Sequence, residues 1–383
     1  KRQFARWPCQ DALPVSAMDH TRLVSKVLNP RFHLVPSPDA AIDWVESRLV
    51  QLTNHQSWAL ELLRFVPQLT ITGGAGTGKT LLARQKAQDL LDEGKRVLVL
   101  CFNQNLGASL REGLAGALAE HGDSLTVATF HDFAREQVRL AGGDWPVPEE
   151  PSQLPAFYEN EVPTLLEQAL AHNGTTYDAL VIDEAQDFAP LWLLTLADAL
   201  SDDPNVCLFA DPTQNLYGRD FELPTDIFER MPDYPFHLTH NCRNSAEIAQ
   251  WLNERFEFAS LPAGELPRAG EPVREHTWTT VEEQNTALIA AWDELMDKGL
   301  NSEQIAVLSP YRPENSAGIK ALTEARPKAR METSTINAYK GLQAPYVLLV
   351  DMDTSGFASR QDLWYVGATR ATVSLQVFRK SAP

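Results

Sequence analysis

Eight consecutive residues limit the possible folds of this chain more than any other feature. Gly73-Gly74-Ala75-Gly76-Thr77-Gly78-Lys79-Thr80 satisfies G-x-x-x-x-G-K-[ST], with the β-rich run Leu69–Thr72 ahead of it and a helical pattern behind. Glycines at this spacing let the backbone wrap an anion so that its amide groups point inward. The N-terminus of the following helix adds a favourable dipole. In that arrangement Lys79 reaches the outer phosphates of a nucleotide and the Thr80 hydroxyl binds Mg²⁺. Residues Gly73, Gly74, Ala75, Gly76, Thr77, Gly78, Lys79 and Thr80 are therefore the candidate ATP-binding set, and they call for a strand–loop–helix unit.

The rest of the chain repeats that unit. Apolar strand patterns at Gln68–Thr72, Arg96–Phe102, Leu125–Ala128, Ala179–Asp183 and Val206–Ala210 alternate with helix-length segments. A second series follows, with strands at His237–Thr239, Val273–Thr277, Gln304–Ser309, Thr333–Ile336, Tyr346–Val350 and Ser374–Phe378. Helices are expected over about 79–93, 245–256, 281–298 and 359–371. Such alternation predicts an α/β fold of mostly parallel sheets flanked by helices. We expect an N-terminal extension over 1–49, a first α/β domain over 50–235 and a second over 236–383. Residues 141–155, rich in Pro, Gly and acid, read as a surface linker. Asp39–Leu52 has the period of an amphipathic helix.

A phosphate loop only holds nucleotide; hydrolysis needs a second set of groups. Ala179–Ile182 is an apolar strand that runs into Asp183 and Glu184. Asp183, at the strand end, is placed to hold the Mg²⁺ shell, and Glu184, one residue on, to orient an attacking water.

Composition removes several other classes. No apolar run approaches the ~20 residues that cross a bilayer, and no secretory leader opens the chain, so a cytoplasmic protein is expected. Cys9, Cys101, Cys207 and Cys242 lack metal-site spacing, and Cys101 and Cys207 fall in apolar runs, so buried thiols are expected. The formal net charge of −18 argues against a surface coated in nucleic acid, but leaves room for a locally positive, aromatic groove. The first residue is Lys1, as in a piece of a longer product.

From Asp183-Glu184-Ala185-Gln186-Asp187 onward the chain resembles superfamily 1 helicases of the UvrD/Rep type, over about residues 50–380. The resemblance implies two tandem RecA-like domains with ATP in the cleft between them, and an ATP-hydrolysing translocase or helicase on single-stranded DNA, moving 3′→5′, with RNA as the other substrate. Leu52–Gln56 looks like the family's Q motif, making Gln56 the reader of adenine. Cys101–Asn103 and Thr129–His131 resemble motifs that border the nucleic-acid track, which implicates Phe102, Asn103, Thr129 and His131. Ala210–Tyr217 supplies Gln214 as the γ-phosphate sensor and Tyr217 as a base-stacking ring. LTHNCRN and YVGATRA make Arg243 and Arg370 arginine fingers. TINAYKGLQ places Thr335 at the nucleic acid and Gln343 at the ribose.

Three departures stand out. Where relatives stack adenine between an arginine and a tyrosine, this chain has Leu81 and Cys242. Gln343 replaces a glutamate. Residues 141–177 are too few for the helical insertion relatives carry, as in compact members fused to a nuclease-related domain; Phe4–Pro8 reads as a remnant of such a partner. Two readings follow: a motor, or an ATP-gated sensing or scaffold module of a larger nuclease or defence assembly.

Overall fold

The computed structural model describes residues 38–48, 63–214, 222–256, 266–269, 271–353 and 360–381. Six strands, β1 (Gln68–Gly73), β2 (Val97–Cys101), β3 (Leu125–Thr129), β4 (Tyr177–Ile182), β5 (Leu200–Ala210) and β6 (Phe236–Leu238), form one sheet in the order β3-β2-β4-β5-β1-β6. All its pairings are parallel. Both faces are covered, and strands buried on two sides read as largely apolar runs. Val97, Val99 and Cys101 pack with Leu82, Ala87 and Leu110 on one face. Leu98 and Leu100 pack with Phe130, Phe133, Leu166 and Trp192 on the other.

The second sheet contains β7 (Arg274–Trp278), β8 (Ile305–Ser309), β9 (Glu332–Thr335), β10 (Ala344–Leu349) and β11 (Ala371–Lys380), in the order β7-β11-β10-β8-β9. It too is parallel throughout. Its core joins Val307, Leu348 and Leu375 to Leu288, Trp292 and Leu322. Residues 38–48 are helical, and Ala41, Ile42 and Val45 bury themselves in this second core.

A buried carboxylate organises the second sheet. Asp351, just past β10 and in the left-handed region at φ 59°, accepts from Gln284 Nε2 at 2.6 Å and Ser316 Oγ at 2.5 Å. It also accepts from Ser309 Oγ and the Gly318 amide, both at 3.3 Å. One side chain thereby ties two strands to two helices.

One boundary differs from the sequence expectation. β6 pairs with β1, not with the second sheet, so the first sheet runs to Leu238, past the division expected after residue 235. By Asn244 the chain is fastened to the second sheet, since Asn244 Nδ2 donates to Ala371 O at 2.6 Å and the Ser245 amide to Thr372 O at 2.9 Å. The segment after the expected linker also folds onto the first core. Phe157, Val162, Leu166 and Leu170 are buried there against Phe130 and Phe133, with a π-helical turn at Phe157–Glu161 leading into the helix Val162–Asn173. No helix among the described residues is long and apolar enough to cross a membrane.

Trp292, 1% exposed on the helix Val281–Asp297, fills the space between that helix and the second sheet. Replacing it with alanine is expected to lower folding stability by about 3–5 kcal/mol, read by equilibrium urea denaturation.

Candidate nucleotide site

β1 ends at Gly73, and the loop turns into the helix Lys79–Asp92 through left-handed glycines at Gly76 (φ 76°) and Gly78 (φ 80°). Gly76 is required twice over. Its φ disfavours any side chain, and a Cβ there would lie 2.4 Å from Asn241 Oδ1 and 2.8 Å from Arg243 Cβ. The segment 241–243 thus sits directly on the loop, and the Cys242 amide donates to Gly76 O at 2.5 Å.

Lys79 is buried and its ammonium donates to Gly73 O at 2.7 Å and Gly74 O at 2.9 Å, with Asp211 Oδ2 at 3.4 Å. Asp211 also accepts from Gln214 Nε2 at 2.5 Å. Gln214 Oε1 in turn accepts from Arg370 Nη2 at 3.0 Å, which links the first sheet to the second. Arg370 is fully buried, with further bonds to Val366 O and Thr369 Oγ1. Burial and the neighbouring Arg243 guanidinium bring its pKa down to about 9, so it stays cationic at neutral pH.

The acids lie beside this chain of bonds. Asp183 is fully buried, its Oδ1 accepts from the Glu184 amide at 3.1 Å, and its Oδ2 has no hydrogen-bond partner among the described residues. Burial, then the adjacent Glu184 charge, push its pKa up to about 6, against the pull of Thr80 and Lys79. An unpartnered buried carboxylate oxygen near Thr80 suits a hard divalent cation that takes its other oxygens from water and phosphate. Glu184 adopts φ 57°, a left-handed conformation that costs on the order of 1–3 kcal/mol outside glycine, and its carboxylate meets Gln186 and Lys340. Burial would raise the Glu184 pKa, but Lys340, Lys79, Gln186 and Arg370 outweigh it and hold the carboxyl at about 2.

Several members of the site lie inside motifs already quoted but were not singled out from sequence. Lys340, 1% exposed, donates to both Asp187 oxygens at 2.8 Å and to Gln214 O at 2.9 Å, and lies 3.6 Å from Glu184 Oε2. Gln186 bridges Glu184 Oε2, at 2.5 Å, and the Asp211 amide, at 2.8 Å. No apolar run marks Lys340, whose neighbours include Thr335, Asn337 and Gln343; it is buried because it pairs with Asp187 and Glu184.

Between the two sheets lies a cleft of about 570 Å³, lined at one end by Gly76, Gly78 and Thr80, and elsewhere by Leu81, Arg84, Cys242, Arg243 and Gln343. That volume is ordinary for a small-molecule site. Arg243 Nε donates to Gln343 Oε1 at 3.1 Å, which closes one wall. Leu81 and Cys242, the two departures in the adenine pocket, do line the cleft. Gln56 and Tyr217 lie outside the described residues.

The expected nucleic-acid residues separate into two groups. Asn103 caps the helix Gln104–Gly113 and its Nδ2 donates to Asn337 O at 2.9 Å, two residues from Thr335, across the seam between the sheets. Asn103 and Thr335 share a cleft of about 430 Å³. Thr129, by contrast, is fully buried as the N-cap of Phe130–Leu140, bonded to Asp132 and Gln104. With no exposed surface it cannot itself touch a strand. Phe102 and His131 are half-buried and pack on Trp192, at 5.8 and 5.0 Å between ring centres.

The fold and the site define a P-loop protein in which the cleft beside the loop is completed by a second parallel α/β unit. Residues 56–220 match the family described as "AAA domain". Over 202 residues the chain is 29% identical to the Bacillus subtilis (strain 168) protein named "Putative ATP-dependent DNA helicase YjcD", covering 49% of this chain and 24% of that one. The chain therefore spans about a quarter of the length of this curated relative. These two matches support the likeness to superfamily 1 helicases that the motifs carry. Solved structures that resemble the chain include "The structure of PRRSV helicase" (16% identity, TM-score 0.42, covering 86% of this chain and 55% of that one). Another is "Crystal structure of Arterivirus nonstructural protein 10 (helicase)" (12% identity, TM-score 0.43, covering 88% and 62%).

Because the Asp183 pKa of about 6 lies above its ordinary 3.8, ionising the carboxyl opposes folding above pH 6 and not below about pH 4. Asp183→Asn is therefore expected to stabilise the ligand-free protein at pH 7.5 by up to about 3 kcal/mol. The gain should fade as pH drops from 6 to 4, and denaturant titrations across pH measure it. An Asp183→Asn protein no more stable than the parent at pH 7.5 would refute the assignment.

Proposed function

We propose that the chain hydrolyses ATP in the cleft between its two sheets and uses the cycle to move along single-stranded DNA. The observation that carries this reading is the run of contacts Lys79–Asp211–Gln214–Arg370, with Lys340 beside it: groups of the first sheet meet cations of the second at the phosphate end of the cleft.

The roles follow from the chemistry of phosphoryl transfer, which asks a protein for positioning and charge rather than covalent help. The loop amides and Lys79 hold the β- and γ-phosphates. Lys79 has to exchange its contacts with the Gly73 and Gly74 carbonyls for the ligand. Thr80 and Asp183 would hold Mg²⁺, which neutralises the developing phosphate charge. Glu184, ionised and fixed by Gln186, orients the attacking water. A carboxylate with a pKa near 2 is a weak base, but a loose transition state needs the water aligned more than it needs early proton removal. Gln214 senses the γ-phosphate because it already bridges Asp211 and Arg370. Arg243 and Arg370 bring positive charge from the second sheet, so loss of the γ-phosphate weakens the bond between the domains and lets the cleft open. The Asn103–Thr335 cleft spans the same seam, which suits a strand gripped differently in the closed and open states.

A specific observation also supports the narrower, non-unwinding reading. Residues 157–170 are spent on the first core, not on an inserted subdomain. Strand-displacement assays on the isolated chain separate the two readings, since robust unwinding contradicts a pure scaffold. The same assays, run with RNA and with DNA, test which polymer the chain takes.

Steady-state ATPase assays with and without single-stranded DNA test the motor directly. DNA should stimulate turnover. Lys79→Ala and Glu184→Gln should abolish it, and Arg243→Ala or Arg370→Ala should reduce it by roughly 10³–10⁵-fold. Turnover that ignores DNA would sink the motor reading.

A further inference from the structure

The nucleotide cleft contains an arginine that the hydrolytic chemistry leaves unused. Arg84 lines the cleft four residues beyond Thr80 on the helix Lys79–Asp92, about 6 Å farther along the axis. It is one turn from Leu81, so the two side chains are neighbours on one helical face. The loop residues at Gly76, Gly78 and Thr80 mark the phosphate end. A nucleotide seated there has to lay its sugar and base along what remains of the cleft wall.

Arg84 is held as a flat surface. Its Nη2 donates to Ser109 O at 3.1 Å and Ser109 Oγ at 2.9 Å, which fixes one edge of the guanidinium. Gly113, at the end of the helix Gln104–Gly113, lies against it; a Cβ at Gly113 would come within 2.5 Å of Cζ and 2.6 Å of Nε and Nη1. Only a residue without a side chain leaves the guanidinium this seat. Arg84 Nε is buried and has no hydrogen-bond partner among the described residues, although an unpaired buried donor is costly. A guanidinium pinned at one edge and open to a cleft is a platform for an aromatic ring, and arginine stacks in this way where lysine cannot.

We propose that Arg84, seated on Gly113 and pinned by Ser109, is the surface on which the nucleotide base stacks. The assignment rests on the reading of Gly73–Thr80 as the phosphate site. It makes Arg84 a determinant of nucleoside affinity rather than of phosphate affinity.

Titration calorimetry with Mg·ADP and, separately, with Mg·tripolyphosphate tests it. Arg84→Ala should weaken ADP binding roughly three- to thirty-fold and leave tripolyphosphate binding within about two-fold of the parent. Arg84→Lys, which keeps the charge and loses the plane, should behave like Arg84→Ala. Gly113→Ala, which unseats the guanidinium from the far side, should reproduce the ADP defect. Unchanged tripolyphosphate affinity in each variant certifies the fold and the phosphate site together. The platform is overturned if Arg84→Lys restores ADP affinity, if Arg84→Ala weakens both ligands equally, or if it weakens neither. Failure of the parent protein to bind either ligand would instead refute the phosphate-site reading itself.

Discussion

Everything at the heart of this molecule depends on keeping a cluster of buried charges balanced. Asp183, Glu184, Asp187 and Asp211 are almost entirely out of water, and so are Lys79, Lys340 and Arg370. A buried ion pair adds little net stability, but removing one partner of such a pair typically costs about 3–5 kcal/mol, because the other is left uncompensated. Two of the acids, Glu184 and Asp187, sit on the first sheet's loops within 3.6 Å of Lys340 from the second. Neither domain can therefore hide its own charges well alone. The partnership between the sheets is enforced by electrostatics as much as by apolar contact.

The strain at Glu184 fits the same scheme. Asp183 and Glu184 are adjacent, and two neighbouring carboxylates in an extended strand would share one environment poorly. Glu184 sits in a left-handed turn and the two carboxylates have different partners, Thr80 for Asp183 and Lys340 and Gln186 for Glu184. Their opposite pKa shifts are the outcome.

Much of the fold was legible in the sequence because its signals are local. Continuous apolar runs such as Val97–Cys101 and Ala179–Ile182 mark strands covered on both faces, and the glycine loop fixes the turn between β1 and its helix. Placing β6 failed for the opposite reason. Three residues carry no period, and their membership of the first sheet depends on pairing with β1, more than 160 positions away. The site divides along the same line. The structure brings Lys79, Asp183 and Glu184, proposed from the loop and the acids after a strand, into one buried cluster with Arg370, proposed from a motif. Lys340 was not singled out, since its partners Asp187 and Gln214 come together only when the sheets meet. Thr129 shows the reverse error: a polar residue in a motif suggests a ligand contact, whereas its hydroxyl is used up in capping a helix.

The seam at Asn103 has a consequence for how such a chain can drift over generations. Asn103 and Asn105 both donate across it, and both acceptors, at Asn337 and Ala338, are main-chain carbonyls. Recognition runs from side chains on one domain to backbone on the other. The donor side is held to amides of the right length, while the acceptor side is free to change its side chains without loosening the contact. Mutational tolerance across this boundary is therefore lopsided, and the second domain can acquire new surface chemistry at 337 and 338 while the backbone contact beneath it stays the same.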